Sequence, residues 1–99
     1  MIVAFSVSPS GGDPDGGVGE AVARAVKVVR DSGLPNSTNA MFTNVEGSWD
    51  EVMDVVKRAV EAAGEGAARV SLVLKADLRP GYESGQLEAK VSRLEEHLR

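Results

Sequence analysis

The sequence predicts a protein of the α/β class, built as an α+β sandwich, on three observations. Apolar residues alternate in two well-separated stretches, 2–8 and 69–77, which is the period of a strand with one buried face. Between them lie two segments with apolar residues at helical spacing, each closed by glycine. A weaker, polar pair of strands fits between those helices. The order is then strand, helix, strand, strand, helix, strand, with one helix added at the end. That is the split βαβ order of ferredoxin-like folds: a four-stranded antiparallel sheet, two helices on one face, plus a C-terminal helix.

The first strand is read over Ile2 to Ser8. Val3, Phe5 and Val7 form its apolar face, and Ala4, Ser6 and Ser8 form the other. Pro9 is expected to end it. Asp13-Pro14-Asp15-Gly16 marks a turn in the loop from Ser10 to Gly17. The first helix is read over Val18 to Ser32, with Val18, Val22, Ala25, Val26 and Val29 as its apolar stripe. Glu20 and Arg24 stand in the favourable i, i+4 order for an ion pair. Gly33 takes the place of a left-handed cap, and Pro35 prevents continuation.

Asn36 to Met41 and Thr43 to Gly47 are read as the short strand pair. Ser48 followed by Glu51 is a capping-box pattern, so the second helix should begin at Trp49 and run to about Ala63. Its buried face is read as Val52, Val55, Val56, Ala59 and Ala63. Gly64 and Gly66 close it. In the last strand, Val70, Leu72, Leu74 and Ala76 face one way, and Ser71, Val73, Lys75 and Asp77 the other. After a Pro-Gly turn region, a final helix carries Leu87, Val91, Leu94 and Leu98. Both main helices cover one sheet face. The other face must meet water, a ligand or a second subunit, and Val73 upon it favours a subunit.

Ninety-nine residues fit a single domain over 1–99, with apolar residues at 42% to fill its core. The net charge of −4 argues against a general nucleic-acid or anionic-membrane partner. The absence of cysteine excludes disulfides and thiol chemistry. No apolar run has the length of a membrane span, and the N-terminus lacks the basic region of a signal peptide, so a soluble cytoplasmic protein is the expectation.

Ser10-Gly11-Gly12 between a strand and a helix is placed for a phosphate cradle, but the Gly-x-Gly-x-x-Gly spacing is absent and a plain loop is the better reading. Asp13 and Asp15 resemble the start of a calcium loop without its later ligands. His97 alone makes no metal site, and its place near a helix C-terminus accounts for it. No nucleophile, base and orienter form a set, so no catalytic residue is assigned. Lys75-Ala76-Asp77-Leu78-Arg79 is either a solvated row of ions or the polar lining of a ligand site on the uncovered face. Trp49 is read as a packing residue.

With these residues in view, the chain resembles the thiamine-binding protein family of small ferredoxin-like domains. The resemblance spans nearly the whole chain. It rests on Phe5-Ser6-Val7-Ser8-Pro9, on Ala21-Val22-Ala23-Arg24-Ala25-Val26-Lys27 leading to Ser32-Gly33-Leu34, and on Met41 and Thr43 before Glu46-Gly47. Further matches are Trp49-Asp50-Glu51-Val52-Met53, Arg69-Val70, Lys75 with Asp77 and Arg79, and Glu88-Ala89-Lys90-Val91. The resemblance implies a binding module without catalytic residues, cofactor or metal. Its implied ligand is thiamine or its hydroxymethylpyrimidine part, and its implied partner is itself, as homodimer or homotetramer. The matched positions assigned to the ligand are Ser6, Ser8, Met41, Thr43, Glu46, Lys75 and Asp77. The chain departs from the pattern at Ala40 and Phe42, where relatives often have Pro and Gly, at Ala4, where an acid is common, and at Val60, where His is common. Loss of a carboxylate at Ala4 would weaken attraction for a cation, and Phe42 is placed to fill part of the pocket.

The reading is a non-catalytic protein that binds a small cationic heterocycle and oligomerises. The alternative is a structural or regulatory oligomer module sensing another small molecule. On the first reading, Glu46 and Asp77 supply the anion for the thiazolium. Neutralising either would weaken binding by about one to two orders of magnitude with little change in stability.

Overall fold

Val3, Phe5 and Val45 lie side by side in the sheet and are all but completely buried. They are the sheet's share of the core in this computed structural model, which describes residues 1–11, 18–82 and 84–99. The elements are β1 (Ile2–Ser10), α1 (Val18–Asp31), β2 (Asn36–Thr38), β3 (Thr43–Glu46), α2 (Trp49–Ala63), β4 (Arg69–Asp77) and α3 (Gln86–His97). All strand pairs are antiparallel, in the order β2-β3-β1-β4. This is the ferredoxin-like order, with α1 and α2 packed together over one sheet face.

α2 follows its sequence pattern closely. Val52, Val55, Val56, Ala59 and Ala63 are all buried. The Ser48 hydroxyl accepts from the Glu51 amide at 3.2 Å, and Glu51 Oε1 accepts from the Ser48 amide at 3.0 Å. Both halves of the capping box are therefore formed. The bond from the Ser48 backbone amide, reinforced by the Ser48 hydroxyl, holds the Glu51 carboxyl below its ordinary range. In α1 the buried stripe is Ala21, Ala25 and Val29. Val18 is exposed, because it precedes the turn that first meets the sheet. Gly33 has φ +78°, the left-handed conformation its position after α1 predicts.

Four further details differ from the sequence reading. Pro9 does not end β1, which continues through Ser10 with Pro9 opposite Val70 and Ser10 opposite Arg69. β3 pairs only with Ile2 to Phe5, so beyond Phe5 one edge of β1 is open. Proline is tolerated in a strand with an open edge, where its missing N–H breaks no ladder bond. β2 stops at Thr38 instead of Met41. The Asn39 side chain accepts from the Met41 and Phe42 amides at 2.8 and 2.9 Å, which folds residues 39–42 into the hairpin turn. Arg24 does not pair with Glu20. Its Nε donates to the Ala62 carbonyl at 2.9 Å, satisfying one of the free carbonyls at the end of α2. Trp49 is 55% exposed and packs little. The Asp13-Pro14-Asp15-Gly16 turn and the calcium-loop pattern lie outside the described residues.

α3 lies on the sheet face opposite α1 and α2, against β3. None of its residues is buried. Val91, Leu94 and Leu98 are largely exposed, as is Val73 of β4. Among the described residues, no helix is long and apolar enough to cross a membrane.

Candidate functional site

The strand register builds the open face row by row. Ala4 pairs with Lys75 on one side and with Asn44 on the other, and Asn44 pairs with Ser37. Lys75, Ala4, Asn44 and Ser37 therefore cross the whole sheet in line. The next row is Asp77, Ile2 and Glu46. Ala4 projects only a methyl group, so the sheet is hollow between the long side chains of Lys75 and Asn44. α3 stands beside this hollow and contributes Leu87, Lys90 and Val91. The result is a cleft of about 630 Å³, also lined by Asn39 and Ala76. That volume is in the range of small-molecule sites.

Glu46 stands at the buried end of this face, only 2% exposed. Its Oε2 accepts from the Gln86 amide at 2.9 Å and its Oε1 from the Leu87 amide at 3.2 Å. Glu46 thus caps α3 from another element. Gly85, at the N-cap position, has φ +74° and no side chain to do so. The negative carboxylate also meets the positive end of the α3 dipole. Asp77 is tied to α3 as well, through an ion pair with Lys90. The Lys90 ammonium, by hydrogen bond and by charge, holds the Asp77 carboxyl below its ordinary range, and the charges of Lys75 and Arg79 act in the same direction. Arg79 itself stacks over Tyr82, 3.7 Å from the ring centroid.

The seven residues assigned to a ligand by the sequence do not converge on one place. Lys75 and Asp77 line the open-face cleft. Glu46 is beside it, beneath the start of α3, where it lines a smaller gap with Asp77, Arg79, Tyr82 and Lys90. Thr43 is three residues before Glu46 in one strand, so its side chain points to the opposite face. It is buried beside Phe5, with its Oγ1 3.5 Å from Thr38 Oγ1. Thr43, Met41 and Ser6 line a second cavity of about 230 Å³, between the β2–β3 turn, β1 and α1, and Phe42 forms part of its wall. Ser8 is exposed on β1, opposite Ser71.

Sequence reasoning missed Asn44, Ser37, Asn39 and the three α3 residues. Asn44 was within reach, since it alternates with Glu46 and must share its face. The α3 residues carry no local mark of their position. Among the described residues, no group of three His, Cys, Asp or Glu side chains is placed to hold a metal.

Fold and cleft together define a ferredoxin-like fold with a cleft of small-molecule size on its open sheet face. Residues 3–95 match the thiamine-binding protein family, and the chain belongs to that family. A UPF0045 protein of Mycobacterium bovis is 54% identical over 99 residues, spanning 99% of this chain and 94% of the relative. Among solved structures, a hypothetical protein of Methanocaldococcus jannascii superposes with a TM-score of 0.81 at 30% identity, covering 96% of this chain and 95% of that one. A Thermotoga maritima protein provisionally assigned to thiamine biosynthesis or salvage superposes with a TM-score of 0.72 at 29% identity, covering 95% of this chain and 99% of that one.

Proposed function

We propose that this chain binds thiamine or its hydroxymethylpyrimidine part, without catalysis, in the cleft between the open sheet face and α3. The observation that carries the reading is the row Lys75–Ala4–Asn44–Ser37 beside α3. It offers a small floor, amide and hydroxyl groups at one end, and apolar walls from Leu87 and Val91. A flat aminopyrimidine requires those same elements: room over a small residue, donors and acceptors at its edge, and apolar contact on its faces. Among the described residues Asp77 is the one carboxylate lining this cleft, and it is the anion that would face a thiazolium, shared with Lys90. The family's description and the assignment given to the Thermotoga maritima protein support the same ligand class.

The test is calorimetric titration of the full chain with thiamine and with hydroxymethylpyrimidine. Saturable heat, weakened in Asp77→Asn, is the expected outcome. No heat from either compound at millimolar concentration would remove the reading.

A second reading, an oligomer module responding to another small molecule, draws support from the exposed Val73, Val91, Leu94 and Leu98. A contiguous bare apolar patch is one mark of a protein–protein contact, and a second copy of the chain is the partner on this reading. Light scattering at micromolar concentration decides it: a stable monomer would leave those residues without that role.

A further inference from the structure

Beside Asp77, the open-face cleft carries positive groups that a cationic ring does not use. Among the described residues, the cleft is lined by two ammonium groups, Lys75 and Lys90, and one carboxylate, Asp77. Lys90 already pairs with that carboxylate. Lys75 makes no ion pair or hydrogen bond among the described residues, although the chain as a whole is acidic. Glu46, beside the cleft, spends both oxygens on the α3 amides. The Arg79 guanidinium, stacked on Tyr82, lines the smaller gap next to the cleft. Among the described residues, positive side chains thus outnumber negative ones in one hollow of a negatively charged protein. Its free ammonium stands across the Ala4 floor from the Asn44 amide, which donates to Ser37 Oγ at 3.4 Å.

We propose that the natural ligand of this cleft is a phosphorylated heterocycle, with Lys75 receiving the phosphate while Ser37, Asn39 and Asn44 receive the ring. The inference rests on the reading that this cleft is the ligand site, and it deepens that reading by naming the charge state of the ligand. A lysine ammonium is a common point-charge partner for phosphate, and a charge-assisted hydrogen bond is stronger than a neutral one. Asp77 does not oppose this, because Lys90 neutralises it in place. A phosphate ester of the pyrimidine brings two negative charges to a cleft with a positive excess. For the thiamine monophosphate the ester balances the thiazolium.

The experiment is a calorimetric comparison of hydroxymethylpyrimidine with its monophosphate, and of thiamine with thiamine monophosphate, on the full chain and on Lys75→Met, with inorganic phosphate as a further titrant. Each ester should bind at least about tenfold tighter than its alcohol. Lys75→Met should bring the ester down to the alcohol's affinity, and added salt should weaken the ester more than the alcohol. Lys75 is exposed, so circular dichroism should show the variant folded; if it is not, Lys75→Gln takes its place. Equal binding of ester and alcohol would overturn the inference and leave thiamine binding standing. A preference that survives in the Lys75 variant would also overturn it, by placing the anion elsewhere. Inorganic phosphate as tight as the esters would show an anion site with no part for the ring, which overturns it too. Binding by none of the organic compounds would remove the function and the inference together.

Discussion

The Glu46 carboxylate meets the Gln86 backbone amide at 2.9 Å, although 40 residues separate them in the chain. With the neighbouring bond to the Leu87 amide, this joins the end of β3 to the start of α3. α3 buries none of its own residues, so its place depends on this cap and on the Asp77–Lys90 pair more than on packing. The cleft has α3 as one wall, and its shape depends on the same two links.

Glu46→Gln should therefore lower stability, contrary to the sequence reading that neutralisation here is silent. Glutamine keeps one acceptor oxygen but loses the charge and the second bond. A hydrogen bond to a buried charged group is worth about 1.5–3 kcal/mol, so a loss of about 1–2 kcal/mol is expected. Denaturant titration measures it. Hydrogen exchange should also show the Gln86 and Leu87 amides losing protection before those of α2. Unchanged protection at Gln86 and Leu87 would mean that the cap does not hold α3.

Ser48→Ala tests the other cap. The Ser48 hydroxyl holds the Glu51 amide, and alanine leaves that donor to water. The cost should be about 1 kcal/mol, read as a lower denaturation midpoint with an unchanged slope. Glu51 should lose its depressed pKa only in part, since the Ser48 backbone amide still donates to it.

These two helix starts show what was legible in the sequence. The Ser48–Glu51 cap lies within four residues, and α2 repeats its buried valines and alanines at a helical period, so both could be read directly. The cap of α3 could not. Its acceptor is in another strand, and Gly85, at the N-cap position, has no side chain that could mark the start. The alternation along β3 did contain the separation of Thr43 from Glu46. Grouping them in one site put the chemistry of the residue types ahead of the strand period. The open-face row was hidden for a different reason: Ala4, Asn44 and Ser37 acquire meaning only through cross-strand register, which polar strands specify weakly.

The Asp77–Lys90 pair makes α3 docking dependent on pH. Asp77 has a folded-state pKa below its ordinary 3.8, chiefly because of Lys90. Its contribution is therefore complete above the unfolded value and is lost as pH falls through the lower folded one. Carboxyl NMR titration should find Asp77 ionising below the ordinary range. In Lys90→Met that midpoint should rise, with the remaining depression due to Lys75 and Arg79. A midpoint that does not move would mean that the pair is not formed in solution.

The last prediction separates the open-face cleft, with Lys75 and Asp77, from the cavity beside α1, with Ser6, Met41 and Thr43. Ala4 is the floor of the open-face cleft, whereas Met41 lines only the cavity beside α1. Ala4→Leu adds three carbons where the small floor makes the hollow. The side chain points away from the helix-covered core, so the fold should tolerate it at a cost below about 1.5 kcal/mol. Met41 is 73% exposed, and Met41→Ala removes a wall of the other cavity with little effect on stability. Thiamine and pyrimidine titrations should then diverge. Ala4→Leu should abolish binding, because the ring and the leucine compete for one volume, while Met41→Ala should bind as wild type does. The reverse result, with Ala4→Leu binding normally and Met41→Ala weakened, would move the ligand across the sheet to Thr43 and Phe42, and Lys75 and Asp77 would then be left as a surface row.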